Sequence, residues 1–296
     1  MKTIKILSLL FISIAFFTSC NKDDDMPTNG NLSLNISGLE DLGQNFMYEG
    51  WLIVNGAPVS TGTFSVNGSG NLSKTSFSIA NKDLENATKF VLTIEPVPDT
   101  DPAPSKVHIL GGDISGKSGS LSVGHAAALG TDFASSMGKY ILATPTNGMD
   151  TDENSGVWFL DNSSGSAAAG LNLPALPEGW EYEGWAVING TPVTTGKFTS
   201  VNAADMAAPF SETNPGPNYP GEDFLKNAPS GLTFPTNLSG AKVVISIEPV
   251  PDNSSAPFLL KPLLGDVPAN ADVHKAYSMN NISANTNPTG SVKISM

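Results

Sequence analysis

The chain has no arginine among its 296 residues, a single cysteine and only three histidines. Each scarcity excludes something. With a formal net charge of −13 and no guanidinium, the chain has no basic face with which to grip phosphates. Nucleic acid and anionic lipid headgroups are therefore excluded as partners. One cysteine, Cys20, allows no disulfide within the chain, so stability must come from buried apolar area. His108, His125 and His274 form no His-x-Glu-x-x-His or similar cluster, so no metal or other cofactor is expected. There is no Gly-x-Ser-x-Gly elbow and no histidine placed to complete a triad, so the chain is not expected to be an enzyme. Beyond residue 17 no apolar run approaches the roughly 20 residues that a membrane span requires.

What is present begins with an export signal. Lys2 and Lys5 precede an apolar run over residues 6–17, which is too short to span a membrane. Thr18-Ser19-Cys20 resembles a lipobox, which implies cleavage before Cys20 and a lipid on its thiol. Residues 1–19 are then a lipoprotein signal peptide and residues 20–29 an acidic tether. Lys22-Asp23-Asp24-Asp25 resembles the surface-export signal of some Gram-negative lipoproteins. The expectation is an outer-membrane lipoprotein exposed on the cell surface, held to the membrane by its lipid.

The rest of the chain contains itself twice. Tyr48-Glu49-Gly50-Trp51 returns as Tyr182-Glu183-Gly184-Trp185, and Asn55-Gly56 as Asn189-Gly190. Ile94-Glu95-Pro96-Val97-Pro98-Asp99 returns as Ile247-Glu248-Pro249-Val250-Pro251-Asp252. Ordered, spaced matches mean a duplicated domain. Features in both copies belong to the fold, and a feature in one copy is a candidate for a private function. By this criterion Glu95 and Glu248 belong to the fold.

Glycine (29) and proline (22) are frequent between short apolar runs, the profile of an all-β chain with many turns. Trp51-Leu52-Ile53-Val54 is apolar on both parities, and Asn55-Gly56 supplies a tight hairpin. Phe90, Leu92 and Ile94 share one strand face, as do Val243, Ile245 and Ile247 in the second copy. Pro96 and Pro249 end these strands. Matching Tyr140-Ile141-Leu142 with Val292-Lys293-Ile294 as last strands predicts two tandem β-sandwich domains, residues 30–148 and 156–296. The polar stretch 149–155 would join them.

The doubled segment resembles the extracytoplasmic C-terminal domain of the anti-sigma-K factor (RskA) family. The resemblance rests on Trp51-Leu52-Ile53, Pro58-Val59, Gly62, Phe64, Thr93-Ile94-Glu95-Pro96 and Pro104, and on Trp185, Pro192-Val193, Gly196, Phe198, Ile247-Glu248-Pro249 and Pro257. Where the family has Gly-Gly after Glu-Pro, this chain has Val97-Pro98-Asp99. The resemblance implies a β-sandwich used outside the membrane for sensing or partner contact. It does not imply sigma-factor sequestration, which needs the family's cytoplasmic segment and membrane helix. Against this reading stand a structural or adhesive surface lipoprotein and a carbohydrate-binding accessory protein.

Three further segments carry candidate chemistry. The run from Gly111 to Ser118 satisfies the P-loop pattern in letters, but no helix is predicted after it and the second copy lacks Gly-Lys-Ser, so no nucleotide is expected. Asp150, Asp152, Asn154 and Asp161 have the spacing of a calcium loop, without its turn glycine and its flanking helices. An insertion in the second copy, within residues 203–232, holds five prolines with Phe210, Tyr219 and Phe224. Long loops in compact domains are enriched for binding, which makes these aromatics the candidate contact for a protein or glycan partner. Trp51 and Trp185, shared by both copies, are expected in the core.

Overall fold

The computed structural model describes residues 28–296. Cys20, the signal peptide and nearly all of the tether lie outside the described residues. Among the described residues no helix is long and apolar enough to cross a membrane.

The fold is all-β and built on two large antiparallel sheets of matching order. In the first, Ala57–Phe64, Phe46–Val54, Ala87–Pro96, His108–Asp113, Ser118–Ser122, Thr289–Ser295, Asn29–Ser37 and Ser76–Ala80 lie side by side. In the second, the order is Thr191–Phe198, Trp180–Ile188, Lys242–Pro249, Leu263–Asp266, Tyr277–Asn281, Met137–Leu142, Gly156–Trp158 and Gly221–Asp223. In each, the two edge strands come back against one another. The sheets are thus nearly closed, and each unit is barrel-like, where two facing sheets were expected. Closure leaves little exposed strand edge, which suits a chain with no other cross-link.

Alternation along the strands explains the core. Tyr48, Leu52 and Val54 point inward with Phe90, Leu92 and Ile94. Val243, Ile245 and Ile247 are fully enclosed in the second copy. Both copies stack the inward Tyr on the Phe of the next strand, Tyr48 on Phe64 and Tyr182 on Phe198, each with ring centroids 5.6 Å apart. The hairpins turn at Asn55-Gly56 and Asn189-Gly190, whose four φ angles are all positive (52°, 82°, 52° and 83°). Two successive positive-φ residues make the turn whose twist matches the flanking strands, and Asn-Gly is the pair that tolerates it.

One feature of the topology departs from the tandem expectation. Met137–Leu142, expected as the first copy's last strand, pairs in the second sheet with Tyr277–Asn281 and Gly156–Trp158. The C-terminal strand Thr289–Ser295 pairs in the first sheet with Asn29–Ser37 and Ser118–Ser122. The two strands occupy equivalent places, but each lies in the other copy's sheet. Residues 149–155 are accordingly a turn between two strands of the second sheet, and the chain crosses between sheets at residues 123–136 and 282–288 instead. Asn281 Nδ2 donates to Phe133 O (2.8 Å) and Ser136 O (2.9 Å), and Asn287 Nδ2 donates to Asp132 O (2.8 Å). These bonds tie the two crossings together. A single apolar cluster runs through both units.

Candidate functional site

The outward parity of the central strands is also buried, and it is polar. In the first copy Trp51 Nε1 donates to Thr93 Oγ1 (2.8 Å), whose hydroxyl donates to Glu95 Oε1. Glu95 Oε1 also accepts the Ser105 amide (3.0 Å), and the Ser60 hydroxyl donates to Glu49. The second copy repeats the chain of bonds. Trp185 Nε1 donates to Ser246 Oγ (2.7 Å), and that hydroxyl donates to Glu248 Oε1. The Phe258 amide donates to the same oxygen (2.9 Å), and Thr194 Oγ1 donates to Glu183 Oε1 (2.5 Å). Each copy therefore encloses a pair of glutamates, one from each of two neighbouring strands.

Trp51 and Trp185 are 3% and 2% exposed, as expected of core residues, but they sit outside the main apolar cluster. They roof the glutamate network. With so little ring surface exposed, neither can stack on a sugar.

The second network carries additions. The turn after Pro249 brings Asp252 back, so that one carboxylate oxygen from each of Glu183, Glu248 and Asp252 lies within 4.8 Å of the others. Lys197 Nζ bonds Asp252 Oδ2 and Glu181 Oε1, both at 2.9 Å. In the first copy the positions of Lys197 and Glu181 hold Thr63 and Met47. Glu183, Trp185, Thr194 and Asp252 line an open cavity of about 680 Å³, with Phe210, Pro229 and Ser255 among its other walls.

The electrostatics follow from enclosure. Burial pushes Glu248 up to about 8, opposed by its bonds from Ser246 and Phe258 and assisted by the charges of Asp252 and Glu183. Burial likewise pushes Glu183 up to about 7, against the Thr194 hydroxyl and Lys197. Burial works to lower Lys197, but its bonds to Asp252 and Glu181 outweigh that and raise it. In the first copy burial raises Glu95 also.

The segments singled out in the sequence lie elsewhere. Gly111 to Ser118 spans the end of one strand and a turn into the next, with no helix to face a phosphate. Asp150 and Asp152 are exposed in the turn, while strand Gly156–Trp158 carries the chain away before Asp161. Asp161 is engaged by Lys139 Nζ (2.6 Å) and Ser163, which hold it down at about 2. Asp150, Asp152 and Asn154 line one shallow depression with Glu153, but Asp161 is not part of it, so the four residues do not form one ligand set.

In the insertion, Phe210 and Phe224 are core residues. Their rings pack on each other (5.9 Å) and on Phe234 (5.5 Å each). Tyr219 is half-buried and donates to Ala167 O (3.1 Å). Phe224 is therefore turned inward, whereas Phe210, packed against it, also forms part of the cavity wall. The reason lies beneath them. Asp223 is fully enclosed and accepts from Thr146 N (2.8 Å), the Thr146 hydroxyl and Trp158 Nε1 (2.8 Å). Ser211 donates to the equally enclosed Glu222. These bonds fold the insertion down as an edge strand and its cover.

The triad of Glu183, Glu248 and Asp252 was not singled out in the sequence. Its signal was there: charge at Glu181 and Lys197 in one copy, set against Met47 and Thr63 in the other. Comparison with known proteins adds no constraint, since no family model, no curated protein and no solved structure matches the chain.

Proposed function

We propose that the chain is a lipid-anchored cell-envelope protein that works by binding rather than by catalysis. Its recognition surface is the cavity of the second unit. Its two barrel-like units would be flattened sandwiches of the kind resembled in the anti-sigma-K C-terminal domain, used outside the membrane for partner contact. The observation that carries this reading is the asymmetry between the copies. The shared elements make the fold, and they include Glu183, Glu248 and Asp252 with their counterparts Glu49, Glu95 and Asp99, whereas Lys197, Glu181 and the enclosed, unpartnered oxygens of Glu183 and Glu248 belong to the second copy alone. A cavity of about 680 Å³ lies in the range of ligand sites. The non-enzymatic part rests on the sequence, which offers neither a Gly-x-Ser-x-Gly elbow nor a histidine placed to complete a triad. The acidic wall favours a neutral or basic partner.

The test is made in intact cells. Cys20→Ala should release the protein from membranes, and Ser255→Trp, a substitution at an exposed cavity wall, should abolish its capture of cross-linked partners. Unchanged membrane fractionation would contradict the anchor. An unchanged set of captured partners would contradict the cavity as recognition surface.

A further inference from the structure

We propose that Glu183, Glu248 and Asp252 form a binding site for a hard divalent cation of the Ca²⁺ class at the floor of the second unit's cavity. The inference goes beyond the binding-module reading and does not depend on what else the cavity takes.

Three carboxylates in proximity do not alone make a site. The decisive observation is that Glu183 Oε2 and Glu248 Oε2 are both enclosed without a hydrogen-bond partner. Among the described residues these are the only carboxylate oxygens in that condition. A buried acceptor left unpaired is costly, more so when it is charged. The insertion's carboxylates give the contrast: Asp223 and Glu222 are equally buried, and both are satisfied by hydroxyls and amides. On Glu183 and Glu248 the first oxygens are fixed by Thr194, Ser246 and the Phe258 amide, so the second oxygens are held in place. Asp252 accepts from Lys197 at Oδ2 and from the Ser254 amide at Oδ1 (2.9 Å), and each oxygen keeps a further lone pair that a cation can use. Asn253, on the same cavity wall, keeps an enclosed Oδ1 without a partner as well.

The donor set decides the ion. All the donors are oxygens, with no imidazole or thiolate among them, which selects Ca²⁺, Mg²⁺ or Mn²⁺ over Zn²⁺ or Cu²⁺. Ca²⁺ accepts six to eight oxygens in irregular geometry, whereas Mg²⁺ demands a near-ideal octahedron. Three carboxylates on one side and an open cavity on the other suit Ca²⁺, with water or a ligand completing the shell. One lysine, Lys197, stands against Glu181, Glu183, Glu248 and Asp252, so the charge there favours a cation. Lys261 and Glu40, on the flanking elements, add one charge of each sign.

Protons are the competitor. An empty site satisfies its two orphan oxygens by binding protons, and a cation must displace them. Affinity for the cation should therefore rise with pH across the neutral range.

Terbium, a Ca²⁺ mimic sensitised by nearby tryptophan, reads the site directly, because Trp185 is one hydroxyl removed from Glu248. The purified protein should show saturable Tb³⁺ emission of one equivalent, displaced by Ca²⁺. Its affinity should rise about tenfold or more from about pH 6 to about pH 8.5. Glu248→Gln and the half-buried Asp252→Asn should each weaken binding by about tenfold or more. Glu95→Gln, the first-copy counterpart, and Asp150→Ala should leave it unchanged. No Tb³⁺ emission and no Ca²⁺-induced rise in melting temperature at millimolar Ca²⁺ would overturn the proposal. So would binding retained in a folded Glu248→Gln or Asp252→Asn protein. The titration uses purified protein and the partner capture uses cells, so either can fail without the other.

Discussion

The two copies enclose the same glutamate pair and treat it differently. In the first, Glu49 and Glu95 are bonded by Ser60, Thr93 and the Ser105 amide, and neither keeps an enclosed, unpartnered oxygen. In the second, Glu183 and Glu248 receive the equivalent bonds, yet each keeps one oxygen buried and unpaired, with Asp252 and Lys197 drawn in beside them. Duplication supplied a polar network that each unit needs to roof its sheet. One copy has since departed from it at a few positions. Buried polar groups left unsatisfied are destabilising, so a cluster that keeps two of them is better explained by a ligand than by the fold.

The largest effect should come from the exchanged strand. Deleting residues 288–296 removes Val292 and Ile294 from the first unit's core and opens its sheet between Ser118–Ser122 and Asn29–Ser37. Because the deleted strand is encoded in the second copy, independent tandem domains would lose only the second unit's transition. The exchanged fold should lose the first, with hydrogen exchange rising in Asn29–Ser37 and Ser118–Ser122. Protection retained there would refute the exchange.

Next in size are the two roofing tryptophans. Trp51→Ala and Trp185→Ala each remove a buried indole and the N–H that pairs Thr93 or Ser246. Truncations of this kind cost about 3–5 kcal/mol. Chemical denaturation should show losses of similar size in the two copies. A Trp185→Ala protein as stable as wild type would show that the network does not hold the second unit together.

The pH dependence should be smaller and has a definite sign. Glu183 and Glu248 sit at about 7 and about 8 in the fold, above the ordinary value of 4.5. A raised carboxyl contributes stability that is fully present below the unfolded value and is lost as pH rises through the folded one. Glu222 and Asp205, both pushed up to about 7 by burial, act in the same direction. The second unit should therefore lose on the order of a few kcal/mol between about pH 5 and about pH 9 in the absence of divalent cations. Denaturation curves in chelator across that range would measure it, and a flat profile would contradict the assigned enclosure.

The smallest expected effect is at Lys197. Replacing it with the first copy's threonine, Lys197→Thr, releases Asp252 and Glu181 from a partly buried ion-pair network, a loss of about 1 kcal/mol. With Lys197 gone, Asp252 Oδ2 is released while Oδ1 keeps only the Ser254 amide, so Ca²⁺ should bind more tightly in the titration described above. Weaker binding would mean that the lysine positions Asp252 rather than competing for it.

Much of the fold was legible because it is local. Asn55-Gly56 and Asn189-Gly190 specify their turns, and the parity of Phe90, Leu92 and Ile94 specifies an inward face whatever surrounds it. The strand exchange was not legible, for a physical reason. Tyr140 and Leu142 present the same inward face as Val292 and Ile294, so either strand satisfies either sheet. The crossings, bonded through Asn281 and Asn287, and partner-specific contacts such as Tyr140 Oη to Asp266 O (3.1 Å) distinguish the two arrangements. Closure into barrels was hidden likewise, since alternation along a strand does not report the sheet's curvature. In the site, Glu248 was visible as a repeated residue, and repetition pointed to the fold. Its convergence with Asp252 depends on the path of the turn after Pro249, which no spacing encodes. Phe210 and Phe224 suggested exposed anchors because prolines and polar residues surround them. Their burial is set by distant partners, Phe234 and the buried bonds of Asp223 to Thr146 and Trp158.

The most direct measurement compares one substitution in each copy. Wild type, Glu95→Gln and Glu248→Gln are melted at about pH 8.5, in chelator and in millimolar Ca²⁺. Wild type and Glu95→Gln should both gain several degrees on adding Ca²⁺, as expected when a ligand binds only the folded state. Glu248→Gln should start higher than wild type in chelator, since it removes a buried charge, and should gain nothing from Ca²⁺. Equal responses from the two variants, or a wild type indifferent to Ca²⁺, would mean that the copies differ in sequence without differing in function.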